Sequence, residues 1–219
     1  MNLRLLSKDK LVWMASHRCK HRHLYVEHLS CYRKDTEEEI ERIGFLDIEA
    51  SGLDADFGIV LSYCIKPYGQ PSLKRLITPS ELASKDLDKK LLIDCIADMR
   101  KFDRLVTYYG TGFDIPFIRT RAMLHGLDFP LYREIKHTDV YYWVRNKMKL
   151  HRRRMEVVCD FLGIPAKGHP MIPPIWTAAL TGNKKALNYI LVHNLEDVDS
   201  LEEVYKRLLD FTANRAVTI

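Results

Sequence analysis

No run of about eighteen apolar residues occurs in the 219-residue chain, which excludes a membrane-spanning helix. The opening MNLRLLSKDKLVWMASHRCKHRH has too short an apolar stretch for a secretory signal and lacks a small-residue cleavage site. Internal repeats and low-complexity segments are missing too. Cysteine is sparse and odd in number, with five at positions 19, 31, 64, 95 and 159, so a fully paired disulfide framework is excluded. Cys64, Cys95 and Cys159 fall in apolar patterns and read as reduced core residues, from which a cytoplasmic setting is expected.

What is present is a chain that is 47% hydrophobic, enough to bury the core of one good-sized domain with an appendage. The formal net charge of +5 permits a polyanionic partner without proving one. Positive charge is clustered in HRCKHRH at 17–23, in RTR at 119–121 and in KMKLHRRR at 147–154. Residues 1–41 are rich in His, Cys and charge and read as an extension, leaving 42–219 as the main domain. There, strands are expected over 43–48, 58–66 and near SLKRLIT, separated by Gly/Pro/Ser turns. An amphipathic helix follows in DLDKKLLIDCIADMRKF, then a strand in RLVTYYG, a helix in FDIPFIRTRAMLHG and a last strand in IKHTD. Helices are expected over about 140–149, 155–162 and 183–211, with GIPAKGHPMIPPIW a Pro-rich loop. The pattern predicts an α/β fold, a mixed sheet flanked by helices.

Chemistry concentrates in acids. In GFLDIEASGL, Asp47 and Glu49 are two residues apart on a strand and so share one face. Two like charges that close repel, and a wet strand end or a divalent cation would relieve them. Asp114 stands where a strand gives way to a helix, and Asp139 at a similar junction; for both, N-capping is the plain alternative, and for Asp139 it is preferred. On the last helix, His193 and Asp197 are one turn apart within the apolar stripe of Ile190, Leu201, Val204 and Leu208. A private His–Asp pair is the alternative there. Glu196, Asp199, Glu202 and Glu203 read as solvated charges. Converging carboxylates would suit two Mg²⁺ or Mn²⁺ ions, with His193 placed to take a proton from water.

In that order, FLDIEASGL, YGTGFDIPFI and HNLEDV resemble the three motifs of the DEDD superfamily of exonucleases, the DnaQ-like branch of the ribonuclease H fold, and look nearest to its YprB-like group. The resemblance implies a ribonuclease H-like mixed five-stranded sheet flanked by helices. It also implies Asp47, Glu49, Asp114 and Asp197 as ligands of Mg²⁺ or Mn²⁺, and phosphodiester hydrolysis of DNA or RNA from a 3′ end. Two departures stand out. His193 has the spacing of the tyrosine-type subgroup but the residue of the histidine-type, with Tyr189 a weaker base. Tyr109 stands where many relatives carry Asn. Arg119, Arg121, Arg152 and Arg153 are candidates for phosphate contacts, and Phe113, Tyr108, Tyr141 and Trp143 for base stacking or core packing. A structure-specific endonuclease and a catalytically weak binding module are the alternatives. Oligomeric state is not legible.

In the extension, Cys19-x-x-x-His23 and His28-x-x-Cys31 would supply two thiolates and two imidazoles to Zn²⁺, with His21 or His17 able to replace His23. The alternative is a basic, His-rich arm.

Overall fold

A computed structural model describes residues 8–36, 41–165, 168–170 and 172–212. Parts of the acidic run before Arg42 and of the Pro-rich loop lie outside the described residues. The chain divides into two compact units, Met1–Glu41 and Arg42–Ile219. In the first, helices α1 (Lys8–Ser16) and α2 (Leu29–Thr36) flank a turn-rich segment. Among its described residues the buried hydrophobics are few: Met14, Cys19, Cys31 and Tyr32.

The second unit is built on a five-stranded sheet. Its strands are β1 (Ile43–Ala50), β2 (Val60–Pro67), β3 (Leu73–Leu76), β4 (Arg104–Thr107) and β5 (Lys136–Asp139), in spatial order β3-β2-β1-β4-β5. The β1–β2 and β2–β3 pairs are antiparallel; β1–β4 and β4–β5 are parallel. Short turns suffice for the antiparallel pairs, whereas each parallel pair needs a helical crossover. Those crossovers contain α4 (Lys89–Met99), preceded by the short α3 (Pro79–Leu82), and α5 (Asp114–Leu124). Thr78 and Glu81 close a reciprocal capping box that starts α3.

Helices α6 (Val140–Lys147), α7 (Met155–Leu162), α8 (Pro173–Leu180) and α9 (Lys184–Thr212) complete the fold. The expected Pro-rich loop is shorter than its composition suggests. Pro173 and Pro174 open α8, because a first-turn residue needs no N–H partner.

Strand alternation sets the layers. Leu46, Ile48 and Ala50 join Leu91, Leu92, Cys95 and Ile96 of α4 and Ile118 of α5 in the main core. Phe45, Asp47 and Glu49 alternate with them and face α9, where Phe45 meets Tyr205 edge-on at 5.3 Å between ring centroids. Glu202, expected to be solvated, is buried. It accepts from Gly69 N at 2.9 Å and pairs with Lys66 at 2.8 Å and Lys206 at 3.0 Å. Two lysines compensate the desolvation that would otherwise keep a carboxylate outside.

Candidate metal centre and active site

The ends of β1, β4 and β5 point the same way, and the acids gather there, as ligands do at the carboxyl ends of open α/β sheets. Asp47 and Glu49 are half-buried on β1. A register shift in the β1–β2 pair falls between Glu49 and Ala50, so the ladder is irregular beside Glu49.

Parallel pairing of β1 with β4 stops at Phe45↔Val106. Beyond it, Asp114 takes over an orphan donor of the strand: Ile48 N donates to its Oδ1 at 3.0 Å. Asp114 is the first residue of α5 and only 3% exposed. Burial, and next the Asp47 carboxylate, push it well above the usual carboxylate range. It therefore lies in the same electrostatic field as Asp47 and is not a simple N-cap.

The loop that delivers Asp114 is held from behind. Asp139 accepts from Tyr109 N at 2.8 Å, Thr111 N at 2.9 Å and Tyr141 N at 3.1 Å, so it caps α6 and clamps the loop at once. Tyr109 has φ of 65°, a left-handed conformation that Gly or Asn adopts more readily. Gly110 is required by crowding: a Cβ there would come within 2.3 Å of Thr107 Oγ1.

From α9, His193 and Asp197 turn toward β1. His193 Nε2 is 3.2 Å from Asp197 Oδ2 and 3.6 Å from Glu49 Oε1. His193 Nδ1 lies 2.5 Å from the carbonyl oxygen of His169. A carbonyl can only accept, so Nδ1 carries a proton, and Nε2 is the ring nitrogen turned toward the carboxylates. His169 is itself held by Glu196, through Nδ1 at 2.7 Å and its backbone N at 3.2 Å. Glu196, expected to be a solvated charge, thus orients the segment that orients His193. The hydroxyl of Tyr189 is committed to the Pro170 carbonyl at 2.9 Å.

Asn194 has a role that no sequence motif above assigns to it. It is fully buried, donates to Asp47 Oδ2 at 2.6 Å and accepts from Ser62 Oγ at 3.3 Å. Its signal was there: it sits four residues after Ile190 and three before Asp197, in the middle of the stripe. One donor atom from each of Glu49, His193 and Asp197 lies within 4.8 Å of the others. Hard oxygens with one imidazole suit a divalent ion such as Mg²⁺ or Mn²⁺, and the crowding that raises Asp114 is what a cation relieves.

The basic candidates separate. Arg119 is exposed, its guanidinium 5.3 Å from the centre of the Phe129 ring. Arg152 and Arg153 are exposed between α6 and α7, and the Tyr108 hydroxyl donates to the Arg153 carbonyl at 2.5 Å, bringing that loop to the end of β4. Arg121 is not at the surface. It is 3% exposed and forks onto Asp88 at 2.7 and 3.0 Å, because Asp88, fully buried, needs a compensating cation. Among the aromatics, Trp143 stacks on Tyr205 at 5.2 Å and Tyr141 packs on Tyr109 at 4.9 Å. Phe113 lines a cleft of about 360 Å³ with Glu49, Leu53 and Trp176.

A mixed sheet in this order, helices on its faces and acids at its strand ends define a ribonuclease H-like protein. Residues 44–209 match the RNase_H superfamily, and the chain belongs to it. A DNA polymerase of Methanocaldococcus jannaschii is 28% identical over 191 residues, 87% of this chain but 10% of that protein. The family B DNA polymerase of Pyrobaculum calidifontis shares the fold, with a TM-score of 0.64 and 16% identity over 79% of this chain and 25% of that one. The chain thus spans a quarter or less of either relative. No helix among the described residues is long and apolar enough to cross a membrane.

Proposed function

We propose that residues 42–212 form a metal-dependent nuclease of the DEDD type, which removes nucleotides from the 3′ end of DNA or RNA. The observation that carries this reading is convergence: Glu49 of β1 and Asp197 of α9 meet at His193 Nε2, while Asp114 at the start of α5 binds the β1 backbone beside Asp47. Nucleic acid as the substrate class draws support from the polymerase relatives.

Asp47, Glu49, Asp114 and Asp197 would hold two ions, Mg²⁺ or Mn²⁺. Such ions supply positive charge to a phosphoryl group and make a water easier to deprotonate. His193 accepts the water's proton at Nε2, while its Nδ1–H stays on the His169 carbonyl. Asn194 fixes one oxygen of Asp47 and so orients its carboxylate. The cleft of Phe113, Leu53 and Trp176 beside Glu49 offers apolar surface to a terminal base. Arg152 and Arg153, tied to the site through Tyr108, are placed to meet the phosphate backbone.

The test is a cleavage assay on end-labelled single- and double-stranded DNA and RNA, with Mg²⁺, Mn²⁺ or EDTA, comparing the native chain with Asp47→Ala. A metal-dependent ladder that shortens from the 3′ end and vanishes in the variant is expected. Discrete internal cuts would make the protein an endonuclease. Binding without any cleavage would make it a binding module.

A further inference from the structure

The first unit holds a second cluster that the nuclease reading does not use. Cys19, His21, His28 and Cys31 each offer one donor atom, and all four atoms lie within 4.8 Å of one another. Cys19 Sγ is 4.0 Å from His21 Nδ1 and 3.7 Å from His28 Nδ1, and His21 Nδ1 is 3.1 Å from Cys31 Sγ. Ordinary zinc–sulfur and zinc–nitrogen bonds set the S···N edge of a tetrahedron at about 3.5 Å, which these distances bracket.

The backbone prepares this arrangement. Residues 18–24 fold back on themselves, with Arg18 bridged to Leu24 and Cys19 N donating to the His23 carbonyl at 2.9 Å. Arg22 N returns to the Cys19 carbonyl at 2.8 Å, and Arg22 takes a φ of 67° to close the turn. That knuckle aims Cys19 and His21 to one side. His28 immediately precedes α2, and Cys31 lies in the first turn of that helix. Both sulfurs are buried and neither is in a disulfide.

His23, the fourth donor expected from sequence spacing, stays outside: its ring packs edge-on against His28 at 4.9 Å. His17 is engaged too, stacked on Trp13 at 4.3 Å with Nδ1 2.8 Å from the Trp13 carbonyl.

We infer that Cys19, His21, His28 and Cys31 bind one structural zinc ion through two thiolates and two Nδ1 atoms. The site is closed, with four protein donors and no open position, so its role is to fold the unit and not to catalyse. Small units with few buried hydrophobics are commonly stabilised by such a staple, and the described residues of this one bury only Met14, Cys19, Cys31 and Tyr32. The inference is independent of the nuclease reading.

The experiment measures zinc by elemental mass spectrometry on the full chain, purified with reductant and dialysed. About one zinc per chain is expected, falling to near none in Cys19→Ser and Cys31→Ser and falling strongly in His21→Ala. Asp197→Asn separates this ion from the acidic site and should retain it, as should His23→Ala. Because a cysteine variant can leave the unit unfolded, cobalt substitution of the unmutated chain provides a second reading. Intense tetrahedral d–d bands with sulfur-to-cobalt charge transfer are expected. A chain that takes up neither zinc nor cobalt, zinc retained in both serine variants, or a Cys19–Cys31 disulfide formed in the presence of zinc would each overturn the assignment. Zinc lost from His23→Ala but kept by His21→Ala would overturn the choice of fourth ligand.

Discussion

Asn194→Ala removes the side chain that joins α9 to β1 at the acids. The bond to Asp47 Oδ2 is 2.6 Å long, charge-assisted and part-buried, and such bonds contribute about 1.5–3 kcal/mol; the longer one from Ser62 adds about 1 kcal/mol or less. A loss of about 3 kcal/mol corresponds to a Tm lowered by about 6–12 °C in a domain of this size. The effect on function is larger, since groups that orient ligands are typically worth about 10–100-fold in metal affinity or activity. Nuclease activity of the folded variant, titrated with Mg²⁺, should show a raised half-saturation and a lowered maximum. Asn194→Asp should be less stable still in EDTA, because it sets a second carboxylate against Asp47. A folded Asn194→Ala enzyme with unchanged maximum and unchanged Mg²⁺ dependence would refute the reasoning.

Arg121→Leu strands the buried Asp88 charge and should destabilise the fold by about 3–5 kcal/mol, read by urea titration, without changing the salt dependence of nucleic-acid binding. Asp88 also sets a pH dependence. Burial alone would raise it, but Arg121, the Val60 N–H and His125 together hold it below the usual carboxylate range. Its contribution is therefore complete above the unfolded value of about 3.9 and is lost as pH falls through the lower folded value; thermal melts between neutral and strongly acidic pH should show that loss, and Asp88→Asn should flatten it. His193→Ala should lower the maximal cleavage rate by about 10²–10⁴-fold, the worth of a general base, while Mg²⁺ half-saturation moves far less. An equally large shift in half-saturation would make His193 a metal ligand instead.

Much of this was legible because two periodicities carry it. Alternation put Asp47 and Glu49 on one face of β1, and the helical stripe put His193 and Asp197 on the inner side of α9. What escaped were residues defined by partners far along the chain. Arg121 and Glu202 read as surface charges because their compensating groups, Asp88 in one case and Lys66 in the other, come from other elements. His21 and His23 are indistinguishable by spacing, and only the turn at Arg22 decides which faces the sulfurs. Pro173 and Pro174 hid a helix because composition does not separate a first turn from a loop.

Helix α9 is the last element among the described residues, yet it supplies Asp197, His193 and the buttress for Asp47. As the polypeptide is synthesised from its N-terminus, β1 and α5 present their acids long before their partners exist. The cluster closes only when α9 docks, so a chain that lacks this helix carries an incomplete set of donors.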